Sequence, residues 1–537
     1  MQPPQTFDLI VLGSGGAGGC AALTGASLGL STCLIEKAPE LGGGTADSLG
    51  TIWMPNNSLA AAAGLPDDFA TALTYAQFVA GGQAVAANLE AYVREAPRVL
   101  DALLALGVKL RLALGLPDYF APAGPGSCAD GRRMIEPALI ARAALGPYAN
   151  KIRASHHNVS GVAWSDGVAW GGFANRRNWP QAEIAARQAQ GLLACGEALI
   201  GHLVAQMQAR GAVIRLNSTT DKFLNKNNKI AGIVLSDGST LHARRGVILA
   251  TGGYEGNPEL VRRYEGLPDW MNPFAPGNTG DALHLAAAVG AGVSRVAVNN
   301  SLFVGAATPG QPEAFFSVGL RGLPMPGAIA VNAQGQRFCD ETRFQDVVMA
   351  LQHYDRAARR HANLPAWMIF DDRFRQRYPV ANAAPGQPAH PAIARAHTLP
   401  ELAAKLGIDA QGLLKTVERF NADEAAGRDS VFGRGSSAFS RNNAGDTELK
   451  RNPQLAPVDQ PPYYALPLKI GGVCSAGLMT DAHARVLNTH GEPIAGLYAC
   501  GNTAAPTFLG VGYQGGASIG AGMVFGFLAA EHAAGRG

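Results

Sequence analysis

The chain has 537 residues, 47% apolar and 16% charged, with a formal net charge of +3 and 67 glycines. That composition excludes a disordered chain and leaves room for several domains around a large core. It carries no basic block that calls for nucleic acid or an anionic membrane, no apolar run of the ~18 residues a membrane span needs, and no C-x-x-C among seven scattered cysteines.

Disulfides, zinc and attached haem are therefore poor readings, and a reducing compartment fits the cysteine usage. The N-terminus has no basic region ahead of its apolar stretch, so that stretch reads as a strand rather than a signal peptide, and the cytoplasm is expected. Residues 7–12 (FDLIVL) form a short apolar run of the kind found in buried parallel strands. A glycine-rich turn at 13–18 follows, then an Ala-rich helix to about Leu28 and a second strand at 31–35 ended by Glu36. This is one βαβ unit. Residues 79–106 have helical spacing, 114–179 are rich in Gly, Pro and Trp and read as loop, and 181–208 return to helical patterning. Strands are expected at 213–216, 230–235 and 246–250, with Asp237-Gly238 as a hairpin turn. Residues 296–455 change texture, with more Phe, Arg and Asn. They read as a second domain inserted into the first.

The turn Gly13-Ser14-Gly15-Gly16-Ala17-Gly18 fits the dinucleotide fingerprint, G-x-G-x-x-G between a strand and a helix. Its glycines allow the tight turn, the close approach of pyrophosphate and the helix–strand packing, while the helix N-terminus presents free N–H groups to the phosphates. Glu36 stands about 20 residues on, where a carboxylate takes the ribose hydroxyls. FAD is expected rather than NAD because further glycine-rich elements are placed to reach the same cofactor. Lys37 leads into a second loop with Gly43, Gly44, Thr45, Ala46 and Ser48. Ala250, Thr251 and Gly252 follow a strand, and Gly501 and Asn502 precede a last helix that starts near Ala517 and Ile519. That helix N-terminus can stabilise negative charge on the flavin pyrimidine edge. No histidine lies beside residues 42–48, so the flavin is expected to be non-covalent.

With these segments and with 117–120, 278–281, 335–341 and 496–527, the chain resembles the fumarate reductase/succinate dehydrogenase-like flavoproteins, and within them the 3-ketosteroid Δ1-dehydrogenase branch. The resemblance implies an α/β architecture: a discontinuous Rossmann-like FAD-binding domain, residues 1–295 and 456–537, with an inserted α+β substrate and catalytic domain, residues 296–455. It adds Thr219, Asn278 and Asp281 to the expected cofactor contacts. Dicarboxylate reductases of the family carry arginine in the final Gly-Gly motif, whereas its ketone dehydrogenases use tyrosine there with a nearby glycine N–H. Tyr513 and Gly516 match those roles, with one residue fewer between them. Tyr119, in Pro117-Asp118-Tyr119, matches a second active-site tyrosine. The family's third tyrosine, its proposed base, is Gln345 here, and an amide cannot accept the proton. Tyr119 is therefore the candidate base.

Desaturating a ketone requires loss of an α-proton and transfer of a β-hydride to flavin, helped by hydrogen bonds to a carbonyl oxygen on which charge grows. A cyclic ketone, single-ring or steroid, is the expected substrate, with an external acceptor such as a quinone taking the electrons. Two rivals stand: a fumarate-type enoate reductase, and a flavin-binding redox or regulatory protein without turnover of its own. Gln345 and Ala113 are the candidate pocket residues, Ala113 because the family carries a bulkier side chain there; its other reading is packing against a helix. Trp164, Trp170 and Trp179 either wall a pocket or pack a loop. His156-His157 reads as an exposed loop pair, and Arg337 with Glu341 as a structural or interface pair.

Overall fold

The computed structural model describes residues 5–267, 270–296, 302–308, 311–317, 322–380, 383–389, 393–510 and 512–536. Of the N-terminus read above, residues 1–4 lie outside the described residues.

The N-terminal apolar run forms the strand Gln5–Leu12, which pairs in parallel with Thr32–Ile35 on one side and Thr240–Leu249 on the other. Val213–Arg215 and Pro493–Ala499 extend this parallel sheet at its two ends. Both faces of the first strand are covered. Leu9 and Val11 enter the core shared with the helices Gly16–Ser27 and Ala517–Ala534, while Ile10 and Leu12 enter a second core on the opposite face. Burial on both faces is why the strand reads as a continuous apolar run rather than an alternating one. Thr220–Lys226 and Lys229–Leu235 add an antiparallel appendage to this sheet. The first of these escapes a sequence reading because TDKFLNK is mostly solvent-facing and has no apolar stripe.

The helical patterning at 79–106 corresponds to Ala86–Ala105, and its first two residues end a separate helix, Phe69–Ala80, that the reading did not include; Gly81 (φ 57°) and Gly82 (φ 75°) stand between the two. The helical stretch from 181 divides into Gln181–Ala189 and Cys195–Ala209. The region read as loop contains a real strand, Met134–Pro137, and a short helix, Trp164–Ala169.

The inserted segment builds its own antiparallel sheet from Ala328–Asn332, Ala366–Asp371, Ala394–Ala396 and Tyr463–Pro467. The last of these strands, Tyr463–Pro467, lies past residue 455 and pairs with Ala366–Asp371. The Arg337–Glu341 pair (2.7 Å) is buried with Asp429 and Arg434 inside the insertion. It is structural.

Among the described residues, Ala517–Ala534 is long and apolar enough to cross a membrane, contrary to the expectation that no such run exists. It is 72% buried. Gly526 lets it approach the first helix, since a Cβ there would lie 2.6 Å from the Ala17 carbonyl oxygen. It packs as a core helix.

Candidate active site

Two cavities meet over the C-terminal ends of the parallel strands, the place where open α/β sheets bind ligands. The larger is built on the glycine-rich turn. Gly13 has φ 100°, and a Cβ on it would lie 2.2 Å from the Ala250 carbonyl oxygen; a Cβ on Gly18 would lie 2.0 Å from that of Gly13. These two glycines are demanded by packing alone. At Gly15 the nearest atom to a Cβ would be Thr45 Oγ1 at 3.5 Å, an ordinary contact, so the protein leaves its space open on the cavity side. The helix Gly16–Ser27 behind it has no cap from its own N-cap residue; Gly16 N–H donates to Thr45 Oγ1 (3.0 Å), and the first-turn N–H groups beyond it face an anion.

Glu36 sits at the end of the second strand with Oε2 accepting from Ser14 N–H (3.1 Å) and Ser14 Oγ (2.6 Å). Lys37 is committed to the rim, its Nζ donating to Asp281 (2.6 Å) and Thr279 (2.8 Å). Of the residues expected to hold the cofactor, Gly18, Ala46 and Ala517 do not line this cavity; they are packing positions beside it. The others do: Gly13, Ser14, Gly15, Gly16, Ala17, Glu36 and Lys37 at the turn; Gly43, Gly44, Thr45 and Ser48 in the second loop; Thr219, Ala250, Thr251, Gly252, Asn278 and Asp281 farther along; Gly501, Asn502 and Ile519 near the end. Arg153, Phe274 and Val473 join them unforeseen, because no local motif marks them. An uncapped helix N-terminus, a carboxylate at the second strand and a long cavity bordered by the last helix fit FAD.

The second cavity, of about 210 Å³, shares Ser48, Phe274, Tyr513, Ser518 and Ile519 with the first. Tyr119, Tyr513 and Gly516 all line it. The two phenol rings lie with centroids 6.0 Å apart, and Phe344 and Phe439 pack against Tyr119 at 5.7 and 4.3 Å. Tyr119 approaches so closely that a Cβ on Gly515 would lie 2.6 Å from its hydroxyl oxygen. Glycine at 515 is what admits the tyrosine. Gly516 (φ 78°) precedes the final helix; its carbonyl accepts from Trp53 N–H (3.1 Å), and its own N–H donates to none of the described residues.

The tyrosine loop is anchored by Asp118. One carboxylate oxygen accepts from Trp53 Nε1 (2.9 Å), the other from Arg133 Nη1 and Cys128 N–H (2.9 Å each). Gln514, next to Tyr513, accepts from Tyr119 N–H (3.0 Å), tying the two tyrosine segments together. Burial pushes the Tyr513 phenol up to about 12. Burial first, and Tyr513 second, push the Tyr119 phenol well above its ordinary value of 10.

Neither expected pocket residue lines this cavity. Ala113 is fully buried in the core with its N–H on the Met134 carbonyl (2.8 Å), and the wall on that side is Leu116, Tyr119 and Met134. Gln345 is buried behind Phe344, which is the residue of that helix that meets the tyrosines. The structure adds Asp47, His156, His157, Trp164 and Arg176 to the wall. His156 and His157 are thus not merely an exposed loop pair. Trp164 lines the cavity and stacks on Phe173 (4.7 Å), while Trp170 and Trp179 pack on each other (5.7 Å).

Fold and site together define a flavoprotein. The model of the FAD-binding domain family matches residues 8–520, and the chain belongs to that family, with FAD as its cofactor and oxidoreduction as its chemistry. Its relatives include a 4-oxocyclohexanecarboxylate 2-dehydrogenase of Sinomonas cyclohexanicum, 34% identical over 99% of this chain and 94% of the relative. A 3-oxosteroid 1-dehydrogenase of Mycobacterium tuberculosis is also 34% identical, over 99% and 98%. Among solved structures, 3-ketosteroid Δ1-dehydrogenase from Sterolibacterium denitrificans superposes with a TM-score of 0.90 at 31% identity, covering 99% of this chain and 100% of that one.

Proposed function

We propose that this protein desaturates a single-ring cyclic ketone at the α,β carbon–carbon bond. The observation that carries the reading is that Tyr513 and Gly516 line one cavity that shares a wall with the FAD cavity. Both can donate to a ketone oxygen, where negative charge grows as the α-proton leaves. Bound FAD supplies the acceptor for the β-hydrogen and its electron pair at N5. The ring size follows from the room available. At about 210 Å³ the cavity is smaller than the roughly 300–1,000 Å³ typical of drug-sized ligands, which favours one ring over four.

Tyr119, held protonated by burial, acts here as a second donor and ring-positioning group rather than as the base. Histidine is the residue type that accepts a proton near neutral pH, and His156 and His157 line the same cavity, so the α-proton leaves on their side. FAD is held without a covalent bond, the protein works in the cytoplasm, and an external acceptor, a quinone, reoxidises it. A fumarate-type reductase is disfavoured because Tyr513 occupies the place where such enzymes carry a carboxylate-binding arginine. The test is turnover of cyclohexanone with an artificial acceptor, with 2-cyclohexenone as product. Turnover of a four-ring 3-ketosteroid at higher kcat/KM than cyclohexanone would overturn the single-ring assignment.

A further inference from the structure

Gln514 is fully buried between Tyr513 and Gly515, where an apolar side chain of the same size would avoid the cost of desolvating an amide. The whole hydrogen-bonding capacity of that amide is used. Its Oε1 accepts from the Tyr75 hydroxyl and from Tyr119 N–H (3.0 Å). Its Nε2 donates to the Gly515 carbonyl (3.3 Å) and to Met134 Sδ (3.9 Å). These bonds close a ring of contacts beside the cavity. Trp53 holds both tyrosine segments, with Nε1 on Asp118, the residue before Tyr119 (2.9 Å), and its N–H on the Gly516 carbonyl (3.1 Å). Gln514 joins the same two segments to each other. Tyr75, its other donor, packs on Trp53 with ring centroids 6.0 Å apart. The junction lies where the Tyr119 ring passes over Gly515, at which a Cβ would lie 2.6 Å from the phenol oxygen.

Resting on the ketone-dehydrogenase reading above, we propose that Gln514 is a positioning residue for the reaction, setting where the Tyr119 phenol stands relative to Tyr513 and Gly516. It acts through those residues and does not itself line the cavity. A misplacement of about 1 Å in a group that addresses the reacting atoms costs on the order of 10²-fold in rate, which is the leverage such a residue has. The amide is specific to the task. A carboxylate at 514 would lose both donors, turn an oxygen toward the Gly515 carbonyl and add a charge one residue from the buried Asp118. A protonated carboxyl, with one acceptor oxygen and one O–H donor, restores most of the pattern.

Two measurements on the holoenzyme test this. Titration of the flavin absorbance with 4-cyanophenol and with 4-fluorobenzonitrile compares a ring bearing an enolate-like oxygen with one that lacks it, without any turnover. Wild type is expected to prefer the phenol, and Gln514→Met to cut that preference about 10- to 100-fold, the range of a hydrogen bond to a charged group. In anaerobic bleaching by cyclohexanone, the limiting rate should fall by a similar factor in Gln514→Met while the half-saturating concentration changes less than about threefold. In Gln514→Glu the limiting rate, taken relative to wild type, should rise as pH is lowered and the buried carboxyl takes up its proton, a signature that packing alone does not give. Should Gln514→Met fail to fold or to load FAD, Tyr75→Phe, which removes one donor to Oε1, decides by the same two readouts with a smaller drop of about three- to tenfold. A wild type that does not prefer the phenol overturns the role of Gln514. Bleaching at the wild-type rate in Gln514→Met, with the enone formed, leaves the desaturase reading standing and removes the positioning role. No bleaching of the wild type by the ketone, with the phenol preference lost in Gln514→Met, does the reverse.

Discussion

Tyr513 works only while its phenol keeps its proton, and burial pushes the pKa up to about 12. A free tyrosine would lose that proton near pH ~10. Because the folded value is the higher one, the associated stability is present below pH ~10 and lost as pH rises through about 12. Tyr513→Phe removes the donor while keeping the ring, so kcat/KM should drop about 10²-fold with FAD content unchanged, measured as ketone turnover per bound flavin. Glu255 is the other residue with a strong pH signature. It is buried, and burial pushes it up to about 8 against the smaller opposing pull of its own N–H and of Asn278. Its proton is therefore bound more tightly in the folded chain, and the stability it confers is lost between the ordinary value of 4.5 and about 8. Melting temperature followed from pH 5 to 9 should fall more steeply in wild type than in Glu255→Gln; parallel curves would show that Glu255 stays ionised. The cofactor residues were legible because each belongs to a local glycine-rich motif. Arg176 and Phe274 were not, since the wall they join is assembled from segments more than a hundred residues apart.

The loop that carries Tyr119 is an element fixed by one buried carboxylate. Asp118 joins Trp53, Arg133 and Cys128, while Arg133 also pairs with Asp67 at 2.8 Å. Asp118→Ala leaves a fully buried guanidinium short of one partner, at a cost of about 3–5 kcal/mol in urea unfolding. A loss under ~1 kcal/mol would show that Asp67 alone suffices. Sequence patterning found the parts of strands that run through the core, such as 246–249 at the end of Thr240–Leu249, because their neighbours bury them on both faces. It started the helix Ala86–Ala105 too early, at Val79, and missed Phe69–Ala80, which ends at Gly81 and Gly82. It also placed Ala113 and Gln345 in the pocket, whereas Leu116 lines the cavity beside the first and Phe344, next to the second, packs against Tyr119. Position along a chain names the segment that reaches a site; which side chain faces it depends on packing.

At the scale of the whole molecule, the reaction cavity is lined by residues from distant parts of the chain. Phe439 and Asn443 come from the insertion, Tyr513 and Gly516 from the returning C-terminal part, and Ser48 and Tyr119 from the N-terminal part. Three stretches far apart in sequence thus supply one small enclosure beside the FAD cavity. That Tyr463–Pro467 pairs with Ala366–Asp371 was not legible, because its ordinary apolar composition does not say which sheet it joins. The central claim about the chemistry is that the β-hydrogen of a ring ketone is transferred with its electron pair to the bound flavin. Anaerobic mixing of the holoenzyme with cyclohexanone, unlabelled and deuterated at the β-carbons, measures this from the loss of flavin absorbance. The expected result is full bleaching, slower with the deuterated ketone, and one 2-cyclohexenone formed per flavin. A flavin that stays oxidised, or bleaching without the enone, would contradict it.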